Sequence, residues 1–404
     1  MDETVDVVQE LVTSSDSKLV LLVMDGLGGL PHPQTGKTEL ETARTPNLDE
    51  LAKRSSVGLQ TPVAPGITPG SGPGHLGLFG LDPVRNLVGR GVLSALGVGI
   101  DLNPSDVACR VNFATKQNGV IVDRRAGRIP TEEGARLCQI LERITLPGVE
   151  IIVRPEMQYR AVVVFRGEGL GADLSDTDPQ KTGVPPLPVQ ARGTDAASQR
   201  TAALFNEFVR QADQLLAHEH PANTILLRGF DRLPHLPTFA ERYGLKSAVI
   251  AVYPMYRGLA RLVGMQVLDA GHEIEDEFET LERHWSEFDF FFLHVKPTDS
   301  SGEDGAFDRK VQVIETVDRL VPRLLALHPD VLAVTGDHST PAALKAHSWH
   351  PVPILLSGRY VRVNPWVEKF GESDCARGAL GFIHASDIMP LMLANGLRLQ
   401  KFGA

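Results

Sequence analysis

Short apolar runs that alternate with amphipathic stretches constrain the fold of this chain more than any other feature of its sequence. The runs LVLLVMD (19–25), DFFFLHVK (289–296) and DVLAVTGDH (330–338) have the length and composition of buried strands. The stretches at 45–55 and 304–327 carry apolar residues at helical spacing. This alternation predicts an α/β fold in which helices sandwich a mostly parallel sheet.

The three predicted strands end in residues that commonly bind metals. Asp25 ends the first, Asp299 follows the second, and Asp337 and His338 end the third. A single aspartate at a strand end is often only a cap for the next turn or helix. Ligands gather at the carboxyl ends of strands in open α/β sheets, so three such ends favour a shared site.

The centre of the chain has a different pattern and predicts a separate, smaller α/β domain. A Pro/Gly-rich stretch at 176–193 is typical of a linker that leaves such a domain. In a chain of 404 residues, this pattern predicts an N-terminal extension (1–17), a catalytic domain in two pieces (18–103 and 191–404) and an inserted domain (104–190).

Charge and composition argue against several classes of partner. A formal net charge of −10 disfavours nucleic acid and anionic membrane surfaces, so a small anionic substrate would need a local basic pocket. Cys109, Cys138 and Cys375 lack metal-ligand spacing and suggest no disulfide framework. The first residues contain no apolar leader, and no apolar run is long enough to span a membrane. We therefore expect a cytoplasmic protein.

The segment ITPGSGPGHLGLFG at 67–80 surrounds Ser71 with glycines. Glycines permit a tight turn into a helix, and the helix N-terminus offers N–H groups to an anion. A flexible Gly-Ser loop is the alternative. Because Pro73 breaks the Gly-x-Ser-x-Gly pattern of hydrolases, metal activation of a nucleophilic serine is favoured.

The segment HSWHPVPILL places His347 and His350 before another predicted strand. Imidazole suits Mn and Zn, whereas carboxylates suit Mg and Mn. A lone histidine is more often an ordinary core or surface residue. These two follow Asp337 and His338 by about ten residues, which favours a ligand.

Several motifs in a fixed order then match a known family: VMDGLGG, GKTELETARTPNLDELA, PGSGPGHLGLFG, GRGVLSALGVGI, RVNFAT with DRRAGRI, TGDHSTP and HSWHPVPIL. From about residue 18 onward the chain resembles the archaeal-type cofactor-independent phosphoglycerate mutases of the alkaline phosphatase superfamily. The resemblance implies an alkaline-phosphatase-like domain with an inserted phosphotransferase domain. It also implies an isomerase of glycolysis and gluconeogenesis that interconverts 3- and 2-phosphoglycerate.

The resemblance further implies two divalent cations, Mn²⁺ or Mg²⁺ with Co²⁺ or Zn²⁺ as alternatives, and no 2,3-bisphosphoglycerate. Carried over by position, the ligands of the first cation are Asp25, Ser71, Asp337 and His338. Asp299 and His347 are ligands of the second. Ser71 is also the implied phosphoryl acceptor, which forms a phosphoserine intermediate.

One position departs from the family. The family has Asp-x-x-x-His at the second metal, whereas this chain has Asp299-Ser-Ser-Gly-Glu303. A glutamate is a competent oxygen ligand for Mg or Mn. Glu303 is the predicted ligand, with His350 or Asp304 as substitutes.

The predicted inserted domain contains a cluster of basic residues. Asp123 and Arg124 are its catalytic candidates, and the substrate-binding candidates are Arg110, Asn112, Arg125, Arg128 and Arg257. Guanidinium groups bind carboxylates and phosphates in bidentate fashion, and an acid such as Asp123 could transfer a proton between the two glycerate hydroxyls. Further candidates are Arg160, Arg228 and Arg261. A solvated basic loop is the alternative interpretation.

Two other functions compete with the mutase. A metal-dependent phosphatase, or another phosphomutase, could share the fold and ligands, but a phosphatase need not retain its dephosphorylated product in an arginine pocket. A non-catalytic phosphoglycerate sensor would not need Ser71. The predicted partner is the small molecule phosphoglycerate, and a homo-oligomer is compatible with the sequence.

Overall fold

A computed structural model describes residues 6–403 of the chain. The strands are β1 (Leu19–Met24), β2 (Ser56–Thr61), β3 (Val107–Gln117), β4 (Val120–Asp123), β5 (Glu150–Met157), β6 (Arg160–Arg166), β7 (Thr224–Asp231), β8 (Ser247–Ala251), β9 (Gln266–Leu268), β10 (Phe290–Val295), β11 (Val331–Thr335), β12 (Val352–Gly358) and β13 (Gly381–His384). The helices are α1 (Val7–Leu11), α2 (Glu39–Thr42), α3 (Pro46–Lys53), α4 (Ser71–Leu78), α5 (Arg90–Gly97), α6 (Thr131–Leu141), α7 (Ala196–Leu215), α8 (Phe239–Tyr243), α9 (Pro254–Leu262), α10 (Ile274–His284), α11 (Pro297–Glu303), α12 (Phe307–Ala326), α13 (Glu372–Cys375) and α14 (Ile388–Asn395). Short 3-10 turns lie at Ala126–Arg128, Trp285–Glu287 and Ala385–Asp387.

These elements form two compact units. The first unit contains the described residues up to Leu87, then Leu236–Tyr253 and the residues from Leu259 onward, and the second contains Val88–His235 and Pro254–Gly258. The second unit is longer than the inserted domain predicted at 104–190, because β7 pairs with β3 in its sheet. The stretch predicted as the exit linker also lies within this unit, where Thr177 N donates to Leu227 O at 2.9 Å.

The first unit is built on a mostly parallel sheet. Its strand order is β13-β2-β12-β11-β1-β10-β8-β9, and β12 runs antiparallel to both of its neighbours. The three strands predicted from the sequence are adjacent at its centre, where β1 pairs in parallel with β10 and β11. The predicted α/β class and mostly parallel sheet are therefore confirmed.

Helices cover both faces of this sheet, which explains why every residue of β1 is 0% exposed. On one face, Leu22 belongs to a core cluster that includes Phe278 of α10 and Ile314 of α12. On the other face, the ring of Phe292 packs edge-on against Phe79, with ring centroids 5.1 Å apart. Burial on both sides accounts for the uninterrupted apolar runs.

The second unit is built on an antiparallel sheet. Its strand order is β4-β3-β6-β5, and β7 pairs with β3 as well. The long α7 packs on this sheet through Phe205, whose ring stacks on that of Phe165 at 3.8 Å. The smaller α/β unit has its own apolar core, as expected of a separate domain.

Part of the predicted N-terminal extension is ordered against the other end of the chain. Thr13 N donates to Arg398 O at 2.9 Å, and Gln400 N donates to Leu11 O at 2.8 Å. Residues 1–5 of this extension lie outside the described part. Within residues 6–403, none of the helices combines the length and the apolar character that crossing a bilayer requires.

Candidate metal centre and arginine face

The carboxyl ends of β11, β1 and β10 lie side by side, and each is followed by a predicted ligand. Asp25 follows β1, Asp337 and His338 follow β11, and Asp299 lies in the first turn of α11 after β10. All four side chains are at most 1% exposed. These four residues and His347 are together called the metal edge below.

The first group of donor atoms at the metal edge consists of Asp25, Asp337 and His338. Their ligand atoms lie within 4.8 Å of one another. His338 Nε2 is 3.4 Å from Asp25 Oδ1 and 3.2 Å from Asp337 Oδ2. Gly26 N donates to Asp337 Oδ1 at 3.0 Å, which joins the loop after β1 to the loop after β11.

The second group consists of Asp299, His338 and His347, again within 4.8 Å. His347 Nε2 is 3.5 Å from Asp299 Oδ1, and the rings of His338 and His347 stack with centroids 3.7 Å apart. The Thr340 hydroxyl donates to Asp299 Oδ1 at 2.7 Å. The resemblance assigns His338 to the first cation only, whereas in the structure this residue belongs to both groups.

Glu303 lies beside the second group but is more exposed. Its Oε1 is 3.8 Å from His347 Nε2, and its side chain is 55% exposed. The two substitutes have other partners: Asp304 pairs with Arg309 at 2.5 Å, and His350 Nδ1 is 3.0 Å from the Ser348 hydroxyl. The role of Glu303 as a ligand stays a prediction.

Ser71 is the first residue of α4, so this helix begins earlier than the turn predicted near His75. The Ser71 hydroxyl lies 3.3 Å from His338 Nε2. Gly74 allows the helix to approach the strand end, because a Cβ at this position would lie 2.5 Å from the carbonyl oxygen of Asp337. The structure therefore places the predicted nucleophile at a helix N-terminus next to both donor groups.

Three charged or polar groups beside these donors were not identified from the sequence. Lys296 Nζ lies 2.5 Å from Asp299 Oδ2 and 3.1 Å from Asp25 Oδ2. His294 Nε2 lies 3.3 Å from Asp25 Oδ2, and His75 Nδ1 lies 3.1 Å from Asp337 Oδ2. The sequence offered two signals for these residues. His294 is a histidine in an otherwise apolar strand, and His75 lies one helical turn after Ser71.

Burial and charge act in opposite directions on the pKa values of this site. Burial raises the pKa of Asp25, but Lys296 and His294 outweigh it, so the pKa lies well below its usual value. Burial lowers the pKa of His338. Ionised carboxylates beside a neutral imidazole are the protonation states in which these side chains bind metals.

The donor set at the metal edge fits divalent cations. Buried carboxylates require nearby positive charge, and Lys296 is an ammonium group within 4 Å of two of the three aspartates. Carboxylates combined with imidazoles suit Mn²⁺ and Mg²⁺, and Zn²⁺ accepts the same donor types. The first group supplies two carboxylates and one imidazole, and the second supplies one carboxylate and two imidazoles, with His338 shared by both.

The second unit gathers basic side chains on one face of its sheet. In the strand register, Arg110 lies opposite Arg228, and Asn112 lies opposite Arg160. Opposite residues in antiparallel strands share a face, as do residues two apart. These four side chains are called the arginine face below. Two of them, Arg160 and Arg228, were further candidates from the sequence and not among the principal substrate-binding residues.

Burial dominates the electrostatics of the arginine face. It lowers the pKa of Arg110 to about 10, assisted by Arg160, Arg90 and Arg228 and opposed by Glu156. Burial also raises the pKa of Glu156, more than Arg110 lowers it. Like charges at half-buried positions give this face a positive potential that suits an anion.

The other predicted residues of this unit have more varied surroundings. Arg124 makes a bidentate pair with Asp178 at 2.8 and 2.7 Å, and Arg228 Nη1 lies 3.5 Å from Asp178 Oδ2. Asp123 accepts hydrogen bonds from Arg125 N and from Gly127 N. The Arg125 and Arg128 side chains are exposed, and Arg257 is half-buried on α9. The structure thus connects Arg124 to the arginine face through Asp178.

Sequence comparisons point to one family. Residues 52–223 match the family described as 2,3-bisphosphoglycerate-independent phosphoglycerate mutase. A probable 2,3-bisphosphoglycerate-independent phosphoglycerate mutase of Thermotoga neapolitana is 55% identical over 98% of this chain and 98% of the relative. A protein of the same description from Aquifex aeolicus is 52% identical over 99% of this chain and 100% of the relative.

Solved structures agree with this result. A protein from Pyrococcus horikoshii is 32% identical, with a TM-score of 0.83 over 96% of this chain and 99% of that chain. The cofactor-independent phosphoglycerate mutase from Thermoplasma acidophilum is 31% identical, with a TM-score of 0.71 over 94% and 99%. The chain therefore belongs to the family of 2,3-bisphosphoglycerate-independent phosphoglycerate mutases, enzymes of the mutase class.

Proposed function

We propose that this enzyme interconverts 3-phosphoglycerate and 2-phosphoglycerate through a phosphoserine on Ser71, with two divalent cations and without 2,3-bisphosphoglycerate. The position of Ser71 carries the proposal: its hydroxyl lies 3.3 Å from His338, the residue common to both donor groups. The names of the relatives support the substrate. The reaction belongs to glycolysis and gluconeogenesis.

Ser71 is the phosphoryl acceptor in this proposal. The Ser71 hydroxyl loses its proton as its oxygen attacks phosphorus, which forms the phosphoserine and breaks the bond to the 3-oxygen of glycerate; that oxygen takes up a proton. The 2-hydroxyl then loses a proton and attacks the phosphoserine, which releases 2-phosphoglycerate and returns a proton to the Ser71 oxygen. The N-terminus of α4 stabilises the phosphoserine, because its N–H groups and dipole favour negative charge.

The residues of the metal edge, together with Ser71 and Glu303, would hold the cations. Asp25, Ser71, Asp337 and His338 would bind one, and Asp299, His347 and Glu303 would bind the other. When bound, the cations neutralise charge on the phosphoryl oxygens and make the Ser71 hydroxyl more acidic. His75 supports this arrangement, because its Nδ1 lies 2.8 Å from the carbonyl oxygen of Ser71 and 3.1 Å from Asp337.

The arginine face binds the anionic substrate and retains the dephosphorylated glycerate. Guanidinium groups match carboxylate and phosphate oxygens. Asp123 transfers the proton between the glycerate hydroxyls, and Arg124, held by Asp178, contributes positive charge. Arg125, Arg128 and Arg257 are further proposed substrate contacts.

Turnover of 3-phosphoglycerate by metal-stripped protein tests the proposal. Mn²⁺ is added without 2,3-bisphosphoglycerate, and Ser71→Ala serves as the control. We expect 2-phosphoglycerate only when both the metal and Ser71 are present. Free phosphate and glycerate would instead identify a phosphatase, and activity in Ser71→Ala would exclude the phosphoserine route.

A further inference from the structure

Lys310 is a fully buried lysine on α12 that lies close to the metal edge in the first unit. Its side chain is 0% exposed. Its ammonium group donates to the carbonyl oxygens of Gly26 at 2.8 Å, Gly28 at 3.0 Å and Thr340 at 2.9 Å. Because an ammonium group has three N–H donors, these three carbonyl groups use its full capacity.

The three carbonyl groups belong to the two loops that carry metal-edge residues. Gly26 and Gly28 follow Asp25 in the loop after β1, and Thr340 follows His338 in the loop after β11. The loops also bond directly, since Thr340 N lies 3.2 Å from Gly26 O and 3.1 Å from Gly28 O. Lys310 therefore joins both loops at one point.

Thr340 links this point to the donor atoms themselves. Its hydroxyl donates to Asp299 Oδ1 at 2.7 Å and lies 2.9 Å from His338 Nδ1. These contacts fix the ring orientation of His338 and one oxygen of Asp299. Partners of this kind, behind the ligands, set the geometry and affinity of metal sites.

The burial of Lys310 is energetically costly, which indicates a specific role. Burial lowers its pKa, and Glu39 is the first of several carboxylates that oppose this effect. The Glu39 carboxylate is 4.0 Å away, beyond hydrogen-bond distance. A buried charge without a close counter-ion is retained only where its hydrogen bonds are needed.

We infer that Lys310 is a positioning residue for the metal centre: it holds the loops after β1 and β11 in the arrangement that brings Asp25, Asp337 and His338 together. This inference depends on the proposed function to the extent that the metal edge must bind cations.

Calorimetric titration of metal-stripped Lys310→Met with Mn²⁺ tests the inference. Methionine has a similar volume but no donors, so we expect Mn²⁺ affinity to fall by about 10- to 100-fold. Turnover at limiting Mn²⁺ should fall and recover as Mn²⁺ is raised. The KM for 3-phosphoglycerate at saturating Mn²⁺ should not change. Wild-type Mn²⁺ affinity in this variant would overturn the inference.

Asp318→Asn is the matched control. Asp318 is also on α12, is 1% exposed and accepts a hydrogen bond from Leu48 N at 2.8 Å. This contact fixes α3 and no metal-edge residue. We expect a lower melting temperature with unchanged Mn²⁺ affinity. If Asp318→Asn weakened Mn²⁺ binding as much as Lys310→Met, general destabilisation would replace the inference.

A second variant tests the inference if Lys310→Met does not fold. Lys310→Arg keeps the charge, but a planar guanidinium cannot direct three donors at carbonyl groups that converge on one atom. We expect weaker Mn²⁺ binding here too, and unchanged binding would overturn the inference. Absence of Mn²⁺ binding by the wild-type protein would instead overturn the proposed function itself.

Discussion

The metal edge and the arginine face collect opposite charges by different structural means. At the metal edge, carboxylates from loops after parallel strands meet at 0–1% exposure. On the arginine face, guanidinium groups project from neighbouring antiparallel strands and remain half-buried. The first arrangement depends on where strands end, and the second depends on how strands are paired.

Each region also carries an excess of one charge, which the proposed ligand of opposite charge would balance. At the metal edge, Lys296 lies beside only two of the three aspartates. On the arginine face, burial and then like-charged neighbours lower the pKa of Arg110 to about 10. In the proposed function, cations would relieve the first imbalance and a phosphoglycerate anion would relieve the second. Variants in the two regions should therefore affect different measured quantities.

The largest effect is expected from Asp25→Asn. This change removes a fully buried ligand charge from the first donor group. We expect turnover and Mn²⁺ affinity to fall by more than the roughly 100-fold loss that follows removal of a partner behind a ligand. Both losses are measured from the metal content of the variant and from its kcat at increasing Mn²⁺ concentration. Normal metal content would remove Asp25 from the ligand set.

Arg110→Gln should have the next largest effect, and on substrate binding instead of metal binding. A charged hydrogen bond contributes about 1.5–3 kcal/mol, so we expect kcat/KM to fall by about 10- to 100-fold. Mn²⁺ affinity measured by calorimetry should not change. Arg166→Gln is the control, because Arg166 lies on β6 of the same sheet and pairs with Asp106 at 2.8 Å. Equal losses in both variants would contradict a specific role for Arg110.

The same difference explains which parts could be predicted from the sequence. Asp25 and Asp337 were found because an apolar run and its terminal acid are adjacent in the chain, and parallel strand ends meet at one edge. Arg228 is far from Arg110 in sequence and becomes its neighbour only through the register of β3 and β7. Register depends on tertiary pairing and cannot be obtained from a local pattern.

Lys296 and the length of the second unit were missed for the same reason. Lys296 is the last residue of the run predicted as a strand at 289–296. Its position between Asp25 and Asp299 follows only from the tertiary structure. The Pro/Gly-rich stretch at 176–193 has the composition of a linker, yet β7 lies beyond it and pairs with β3. Local composition does not indicate such long-range pairing.

Glu303→Ala should have a smaller effect on Mn²⁺ affinity, and it tests whether Glu303 is a ligand beside the metal edge. Its carboxylate is 3.8 Å from His347 and largely exposed, so we expect a loss of about tenfold or less in Mn²⁺ affinity. Asp304→Ala, at the adjacent position that caps α11, should leave affinity unchanged. Normal metal content and turnover in Glu303→Ala would exclude Glu303 as a ligand. Loss of metal in Asp304→Ala would assign that role to Asp304.

Glu277→Gln should have the smallest effect on turnover. It tests how a buried carboxyl group without a neighbouring cation affects the free energy of unfolding. Glu277 is 2% exposed, and its Oε2 has no hydrogen-bond partner within residues 6–403. Burial raises its pKa well above 4.5. In Asp25, by contrast, Lys296 and His294 outweigh burial, and the pKa is lowered.

The raised pKa of Glu277 determines the direction of its pH dependence. Between pH 4.5 and the raised pKa, the folded protein binds a proton that the unfolded chain does not. The free energy of unfolding therefore falls as pH rises, by about 1.4 kcal/mol per pH unit. Urea denaturation at pH 5 and pH 8 should show that Glu277→Gln gains stability relative to wild type at the higher pH. A difference that does not change with pH would mean that Glu277 is ionised in the folded protein, with a cation supplied by its surroundings.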